Sequence, residues 1–240
     1  MIELVDIYKS YGDVEVLRGV DLCIEPHRVT CIVGPSGAGK STLLQILGTL
    51  DKADRGRVLY DGEDVGALTD RRLSRFRNSH IGFVFQMHRL LPEFTLQENV
   101  ALPAMIGGTP RAQAMDRAAD LLRTMGLSDR LTHRPAQLSG GEAQRGAVAR
   151  ALVNSPMVVL ADEPSGSLDS HNREELHRLF FELRDTLGTT SVIVTHDESL
   201  AADADVTVHI ADGTIMSQKR KEKKTTISTH KIRNNRQFIK

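Results

Sequence analysis

The nine residues from Gly34 to Thr42, reading GPSGAGKST, constrain this chain more than any other feature. They satisfy the pattern G-x-x-x-x-G-K-[ST]. Before them runs VTCIV, a short apolar stretch without alternation, and after them STLLQILGTL, whose apolar residues recur at helical spacing. Strand, glycine-rich loop and helix in that order form the setting in which the pattern becomes a phosphate-binding loop, or P-loop. Glycines let the backbone wrap closely, so the N–H groups of residues 37–42 converge on an anion. The helix start adds a favourable dipole. Lys40 brings a mobile positive charge to the β- and γ-phosphates, and Ser41 a hydroxyl for Mg²⁺. A purely structural glycine loop accounts for the glycines and leaves Lys40, Ser41 and Thr42 unexplained.

Residues 157–163, MVVLADE, give an apolar strand ending in two acids. In an α/β sheet those acids fall at the carboxyl edge, where ligands bind. Many strands end in acids, so the pair gains meaning only beside a P-loop, because phosphoryl transfer needs a metal near the γ-phosphate and a positioned water. Asp162 suits Mg²⁺ through water, and Glu163 suits polarisation of the attacking water. A glutamate ordinarily titrates near ~4, which favours orientation over full proton removal.

The rest of the pattern predicts an α/β protein with a mainly parallel core. Residues 2–11 and 14–22 read as strands of a small β layer. Further strands are expected at 56–60, 81–85, 157–161, 191–195, 206–210 and 214–215. Helices are expected at 69–78 (basic and amphipathic), 95–102, 111–125, 139–153 and 171–187. The three helices between residues 87 and 153 read as an insert between buried strands.

Charge is distributed unevenly. The formal net charge is zero, yet from Lys219 onward nine Lys or Arg face one acid, so a tail of +8 offsets a body of −8. Such a tail buries too little apolar surface to fold alone and is read as a solvated, disordered extension; anionic lipid or nucleic acid are the partners its charge would suit. No run approaches the ~18 apolar residues that span a bilayer, and MIELVDIYKS lacks the apolar core of a signal peptide. A membrane role is therefore expected to come through a partner. Cys23 and Cys31 read as reduced, buried, small hydrophobes.

LSGGEAQ, Leu138 to Gln144, opens the helix expected at 139–153. Alone it is an N-cap followed by glycines. In the order P-loop, LSGGE, Asp-Glu strand, the chain resembles the ATP-binding cassette (ABC) ATPases, whose signature LSGGQ has the extended form LSGGExQR. The resemblance covers residues 1–217. It implies a RecA-like P-loop NTPase core, an N-terminal antiparallel β layer and an inserted α-helical subdomain. A single ATPase domain would span 1–218, with 1–86 and 154–218 as core and β layer, 87–153 as the helical subdomain, and 219–240 as the basic tail.

The resemblance also implies site residues. Tyr11 matches the aromatic that stacks on adenine, although it reads equally as an ordinary tyrosine of the β layer. Gly34, Ser36, Gly37, Ala38, Gly39, Lys40, Ser41 and Thr42 would surround the phosphates of ATP. Mg²⁺ would fall to Ser41, Gln86 and Asp162. Gln86 matches the Q-loop glutamine, Ser167 to Asp169 the D-loop, and His196 the switch histidine, so catalysis would rest on Glu163, His196 and Gln86. Two cassettes sandwich two ATPs in this family, so Ser139, Gly140, Gly141 and Asp169 would act on the nucleotide of a second copy. The other eight histidines are given no role. Two departures stand out: Ser167 replaces a frequent Asn, and Gly146 replaces an apolar residue, at about 1 kcal/mol relative to Ala and with an expected loosening of the helix.

Residues 83–100, FVFQMHRLLPEFTLQENV, resemble the lipoprotein-releasing (LolD-type) ATPases most, within a group that includes macrolide-exporter and cell-division relatives. The implied role is to power release of lipoproteins from a bacterial inner membrane, from its cytoplasmic face, through integral membrane subunits reached by residues 87–100. A cell-division cassette that signals through a membrane partner, and a macrolide or peptide exporter, are the alternatives. Leu90, Leu91, Pro92 and Phe94 either pack within the helical subdomain or meet such a partner. The single P-loop and the absence of a long coiled coil argue against ribosomal and DNA-repair cassettes.

Overall fold

The structure, a computed structural model, describes residues 1–221. Short apolar runs become buried parallel strands, as the absence of alternation requires. β3 (Val29–Val33) and β8 (Ser191–Val194) are buried at every position. They lie in a six-stranded sheet of order β10-β9-β3-β8-β7-β6. It comprises β6 (Ile81–Phe85), β7 (Val158–Asp162), β9 (Val206–Ala211) and β10 (Thr214–Arg220) besides those two. All neighbours are parallel except β9 and β10.

A second sheet, of order β2-β1-β4-β5, is antiparallel. β1 (Ile2–Tyr11) and β2 (Val14–Ile24) form its hairpin, and β4 (Arg55–Tyr60) and β5 (Glu63–Asp64) complete it. This is the predicted N-terminal β layer.

Successive side chains of the parallel strands face opposite ways. Val29, Cys31 and Val33 join an apolar cluster built with α3 (Leu96–Ile106), α4 (Arg111–Thr124), α5 (Gly140–Leu152), α6 (Ser170–Leu187) and α7 (Glu198–Asp203). Ile32, Val158 and Leu160 join the other cluster, formed with β1, β2, α1 (Lys40–Leu47) and α2 (Asp70–His80). Burying one such Leu, Ile or Val contributes about 1.5–3 kcal/mol. The parallel direction brings the carboxyl ends of β3, β6, β7 and β8 to one edge, and the loops carrying Lys40, Gln86, Glu163 and His196 leave from there.

Several expectations need correction. β10 does not stop at Ile215 but runs to Arg220, where Lys219 and Arg220 pair with Thr207 and Val206 and the Lys221 N–H donates to Asp205 O. The boundary placed at residue 218 thus falls inside a strand, because ladder hydrogen bonds hold a polar edge strand whatever its hydrophobicity. The rest of the predicted tail, 222–240, lies outside the described residues. α3 was expected to end at Leu102; it continues through Pro103 to Ile106, with Ala104 buried in the core and Pro103 O accepting from Asn78 Nδ2. α7 was not foreseen, since six residues are too few to display a helical period. Cys31 is buried, and burial pushes its thiol up to about 12. Cys23 is only half-buried.

Gly146 also differs from expectation. A Cβ there would come within 2.4 Å of Leu96 Cδ1, a fully buried side chain of α3. The glycine does not loosen α5 but lets α3 and α5 approach.

Candidate active site

The loop after β3 needs its glycines. A Cβ on Gly34 would lie 2.0 Å from Ile210 O, and Gly39, with φ 96°, would press one on Val16 O at 2.9 Å. Gly39 is also the N-cap of α1, and no side chain satisfies the first N–H groups of that helix. These are the donors that an anion at a helix start takes up. Lys40 Nζ donates to Gly34 O and Pro35 O at 2.8 and 2.9 Å, so its ammonium lies across the mouth of the loop. Ser36, Gly37 and Ala38 fill the turn, and Thr42 lies on the first turn of α1.

Ser41 Oγ donates to Asp162 Oδ1 at 3.0 Å. The P-loop and the end of β7 are therefore joined by two hard oxygen atoms, a donor set that suits Mg²⁺. Burial holds the Asp162 carboxyl above its usual range, and neighbouring Glu163 adds to this, against the Ser41 hydrogen bond and the charges of Lys40 and Arg89. A bound cation would remove that penalty. Gln86, the third predicted metal ligand, follows β6; its side-chain Nε2 lies over Gly166, 3.0 Å from where a Cβ would stand. No cluster of three or more His, Cys, Asp and Glu suited to a metal occurs among the described residues, so a cation here rests on one carboxylate, a hydroxyl and an amide.

Glu163 has a left-handed backbone, φ 46°, unusual for a non-glycine residue. Its N–H donates to Val194 O of β8, and its carbonyl accepts from Gly166 N at 3.1 Å. This turn aims the carboxylate at His196, whose Nδ1 lies 2.9 Å from Glu163 Oε2. The His196 ring is 75% exposed, so an incoming ligand has access to it. The site thus unites Lys40, Ser41, Asp162, Glu163, His196 and Gln86 at the sheet edge.

Tyr11 is exposed at the end of β1, and its hydroxyl donates to Asp51 Oδ2 at 2.6 Å. Lys9 Nζ donates to Asp51 Oδ1 at 3.0 Å and lies 5.1 Å from the Tyr11 ring centroid. The hydrogen bond to Asp51 raises the Tyr11 hydroxyl above its usual range. Nothing in the sequence signalled this tie to the turn after α1.

The signature residues sit elsewhere. Ser139 caps α5: its Oγ accepts from Glu142 N, and its N–H donates to Glu142 Oε2. Arg130 Nε also donates to Glu142, at 2.8 Å. The Ser139 N–H and Arg130 together lower the Glu142 carboxyl to about 2. Gly140 and Gly141 follow, and a Cβ on Gly141 would strike Asn172 Oδ1 at 2.0 Å. Asp169 caps α6 by accepting from Asn172 N and Nδ2. Among the described residues no hydrogen bond or ion pair joins 138–144 to the P-loop. The two motifs therefore stand apart within one chain.

α5 also holds the loop containing Gln86. Gln144 Nε2 donates to Phe85 O, and Arg150 donates to His88 O and Arg89 O, at 2.7–2.8 Å. Sequence reasoning passed over both side chains as ordinary helix residues. Ser167, the departure in the D-loop, donates from Oγ to Gln86 O at 3.2 Å and so has a local partner. Farther along, the choice left open at residues 90–94 divides. Leu90 is buried, whereas Leu91 and Phe94 are each 39% exposed. Asn99 fixes their loop by accepting from Leu91 N and donating to Leu91 O, Phe94 O and Thr95 O. Beside it opens a cavity of about 460 Å³ between β6, α2, α3 and α5, with Arg77, Arg89 and Arg150 on its walls.

Comparison with known proteins identifies the family. The sequence profile of the ABC transporter family matches residues 17–166. The lipoprotein-releasing system ATP-binding protein LolD of Bacteroides thetaiotaomicron is 60% identical over 90% of this chain and 99% of its own. LolD of Cytophaga hutchinsonii is 59% identical over 88% and 96%. Among solved structures, a bacterial ABC transporter cassette in dimeric form is similar, with TM-score 0.84 and 38% identity over 92% of this chain and 98% of that one. A dimeric post-hydrolysis cassette bound to ADP and phosphate has TM-score 0.83 and 37% identity over the same shares.

Proposed function

The chain belongs to the ABC transporter family as its ATP-hydrolysing subunit, and on that premise we propose that the machine it drives releases lipoproteins from the bacterial inner membrane. The observation that carries this reading is the near-complete match to relatives that bear the lipoprotein-releasing name. The chain holds the nucleotide and does the hydrolysis; membrane subunits hold the cargo.

The arrangement at the sheet edge, together with the family's motifs, supports the following roles. P-loop N–H groups and Lys40 bind the β- and γ-phosphates of ATP, and Tyr11 takes the adenine. Ser41, Asp162 and Gln86 hold Mg²⁺, which when bound neutralises charge developing on the phosphates. Glu163 orients the attacking water, and His196 steadies Glu163 and reaches toward the γ-phosphate. Ser139, Gly140, Gly141 and Asp169 complete the nucleotide site of a second copy. A symmetric ATP-sandwich dimer is supported by the separation of signature and P-loop within one chain and by the dimeric form of the similar cassettes.

Residues 1–218, with β10 carried on to Arg220, act as one ATPase domain with the helical subdomain at 87–153. Leu91 and Phe94, exposed on a loop that Asn99 fixes, meet the membrane subunits next to the arginine-walled cavity. No described helix is long and apolar enough to cross a membrane. On this reading the protein works as a peripheral subunit at the cytoplasmic face of the membrane, held there by its partners.

The test is affinity capture of the Glu163→Gln variant with ATP from detergent-solubilised native membranes, read by mass spectrometry. Integral membrane subunits carrying lipoproteins are expected. Recovery of a division-site membrane protein, or of a drug exporter, overturns the lipoprotein reading and leaves the ATPase standing.

A further inference from the structure

His177 is the only buried histidine among the described residues, and the chemistry above makes no use of it. It lies on α6, which Leu176, Phe180 and Leu183 anchor in the core. Its Nε2 shares a hydrogen bond with Ser165 Oγ at 3.0 Å, and the same nitrogen lies 4.0 Å from Asp197 Oδ2. Ser165 is itself buried. One imidazole thus hydrogen-bonds one loop and lies against a second.

Those loops carry the two groups that meet at the reacting phosphate. Ser165 stands two residues after Glu163, in a turn closed by Gly166 N to Glu163 O and Leu168 N to Ser165 O. Asp197 follows His196. Its Oδ1 accepts from Ser199 N and Leu200 N to cap α7, which leaves Oδ2 directed at His177. A cavity of about 330 Å³ lies between the loops, with Glu163, Ser165, His196 and Asp197 on its wall. The left-handed Glu163 backbone persists only where its surroundings over-determine it. A tie from a rigid helix to the turn just beyond is such a restraint.

We propose that His177 is a positioning residue for ATP hydrolysis: it ties the turn after Glu163 to α6 by a hydrogen bond and holds it against the turn after His196, so that these two side chains keep their mutual geometry. The proposal rests on the ATPase reading of the site. Burial lowers the His177 pKa, with Arg173 on the same helix acting likewise against the charges of Asp197 and Glu174. The ring is then neutral at physiological pH. Both neighbours face Nε2, so that nitrogen shares its one hydrogen bond with the Ser165 hydroxyl, and the Asp197 carboxylate at 4.0 Å lies beside it without a hydrogen bond.

The experiment compares His177→Leu, His177→Gln and Ser165→Ala with the full-length protein for steady-state ATP hydrolysis and thermal stability. Gln reaches the position of Nε2 and keeps a hydrogen bond; Leu fills the space without one. His177→Leu is expected to lower kcat about tenfold, the effect of losing one buried hydrogen bond at the reacting geometry. Its KM for ATP should change less than about twofold, because phosphate and base contacts are untouched. His177→Gln should recover most of the rate, and Ser165→Ala should match His177→Leu. Should the Leu variant fail to fold, the Ser165→Ala rate decides, since it removes a single hydroxyl. The proposal is overturned by a normal kcat in His177→Leu, by equal losses in the Leu and Gln variants, or by a normal kcat in Ser165→Ala. Glu163→Gln serves as the control: its inactivity beside an active His177→Leu rejects this inference alone, whereas an active Glu163→Gln rejects the assignment of the site.

Discussion

His196 Nδ1 and Glu163 Oε2 stand 2.9 Å apart, brought together from the ends of neighbouring strands β8 and β7. The histidine is largely exposed and the glutamate is not. The pair gives the carboxylate a fixed direction while leaving the imidazole free to meet a ligand. His196→Ala should therefore lower kcat by about 10²-fold, in the range of a lost acid–base or electrostatic contact. Nucleotide affinity should stay near that of the parent. Phosphate release and equilibrium titration with a fluorescent ATP analogue measure the two quantities; a loss of affinity alone would remove His196 from the hydrolytic step.

Lys40 spans the mouth of the P-loop through Gly34 O and Pro35 O. On the proposed reading its ammonium exchanges those carbonyls for phosphate oxygens when ATP enters, a charge-assisted contact. Lys40→Ala should weaken ATP binding by at least about tenfold. Affinity within twofold of the parent would show that the backbone alone holds the phosphates.

Gly146 lets α5 rest on Leu96. Helix propensity alone favours replacing a mid-helix glycine by any residue but proline, by up to about 1 kcal/mol. Here the 2.4 Å approach to Leu96 wins. Gly146→Val should destabilise by about 1–3 kcal/mol through overpacking, with the melting temperature down by several degrees. A raised melting temperature would show that Leu96 yields freely.

Glu142 is held at about 2 by the Ser139 N–H and Arg130, against an ordinary 4.5. A depressed carboxylate contributes stability that is present above its unfolded value and lost as pH falls through the folded one. The window is thus about pH 4.5 down to 2. Glu142 is one-fifth exposed and Arg130 two-fifths, so solvent screening reduces the contribution to about 1–2 kcal/mol. Denaturant unfolding of Glu142→Gln should show lower stability at pH 7 and a flatter decline across that window. An unchanged acid limb would assign the loss to other groups.

Much of this was legible in the residues. Uninterrupted apolar runs marked β3, β6 and β7, and the P-loop and Asp162-Glu163 placed phosphate chemistry at their ends. What escaped was what depends on side chains meeting across the fold. β10 is polar, so no pattern announced that ladder pairing would extend it to Arg220. Gly146 looked like a helix defect because Leu96 lies fifty residues away. His177 looked like background because its partners, Ser165 and Asp197, come from two other loops. The left-handed backbone of Glu163 leaves no mark in a sequence at all.

The most direct measurement is the molar mass of Glu163→Gln in solution, by light scattering, with and without saturating ATP and Mg²⁺. A site that Ser139 and Gly141 of a second copy complete predicts a monomer without nucleotide and a stable dimer with ATP, lost again when Ser139 is replaced by a bulky residue. A monomer at saturating ATP, with nucleotide shown to be bound, would contradict the shared-site account.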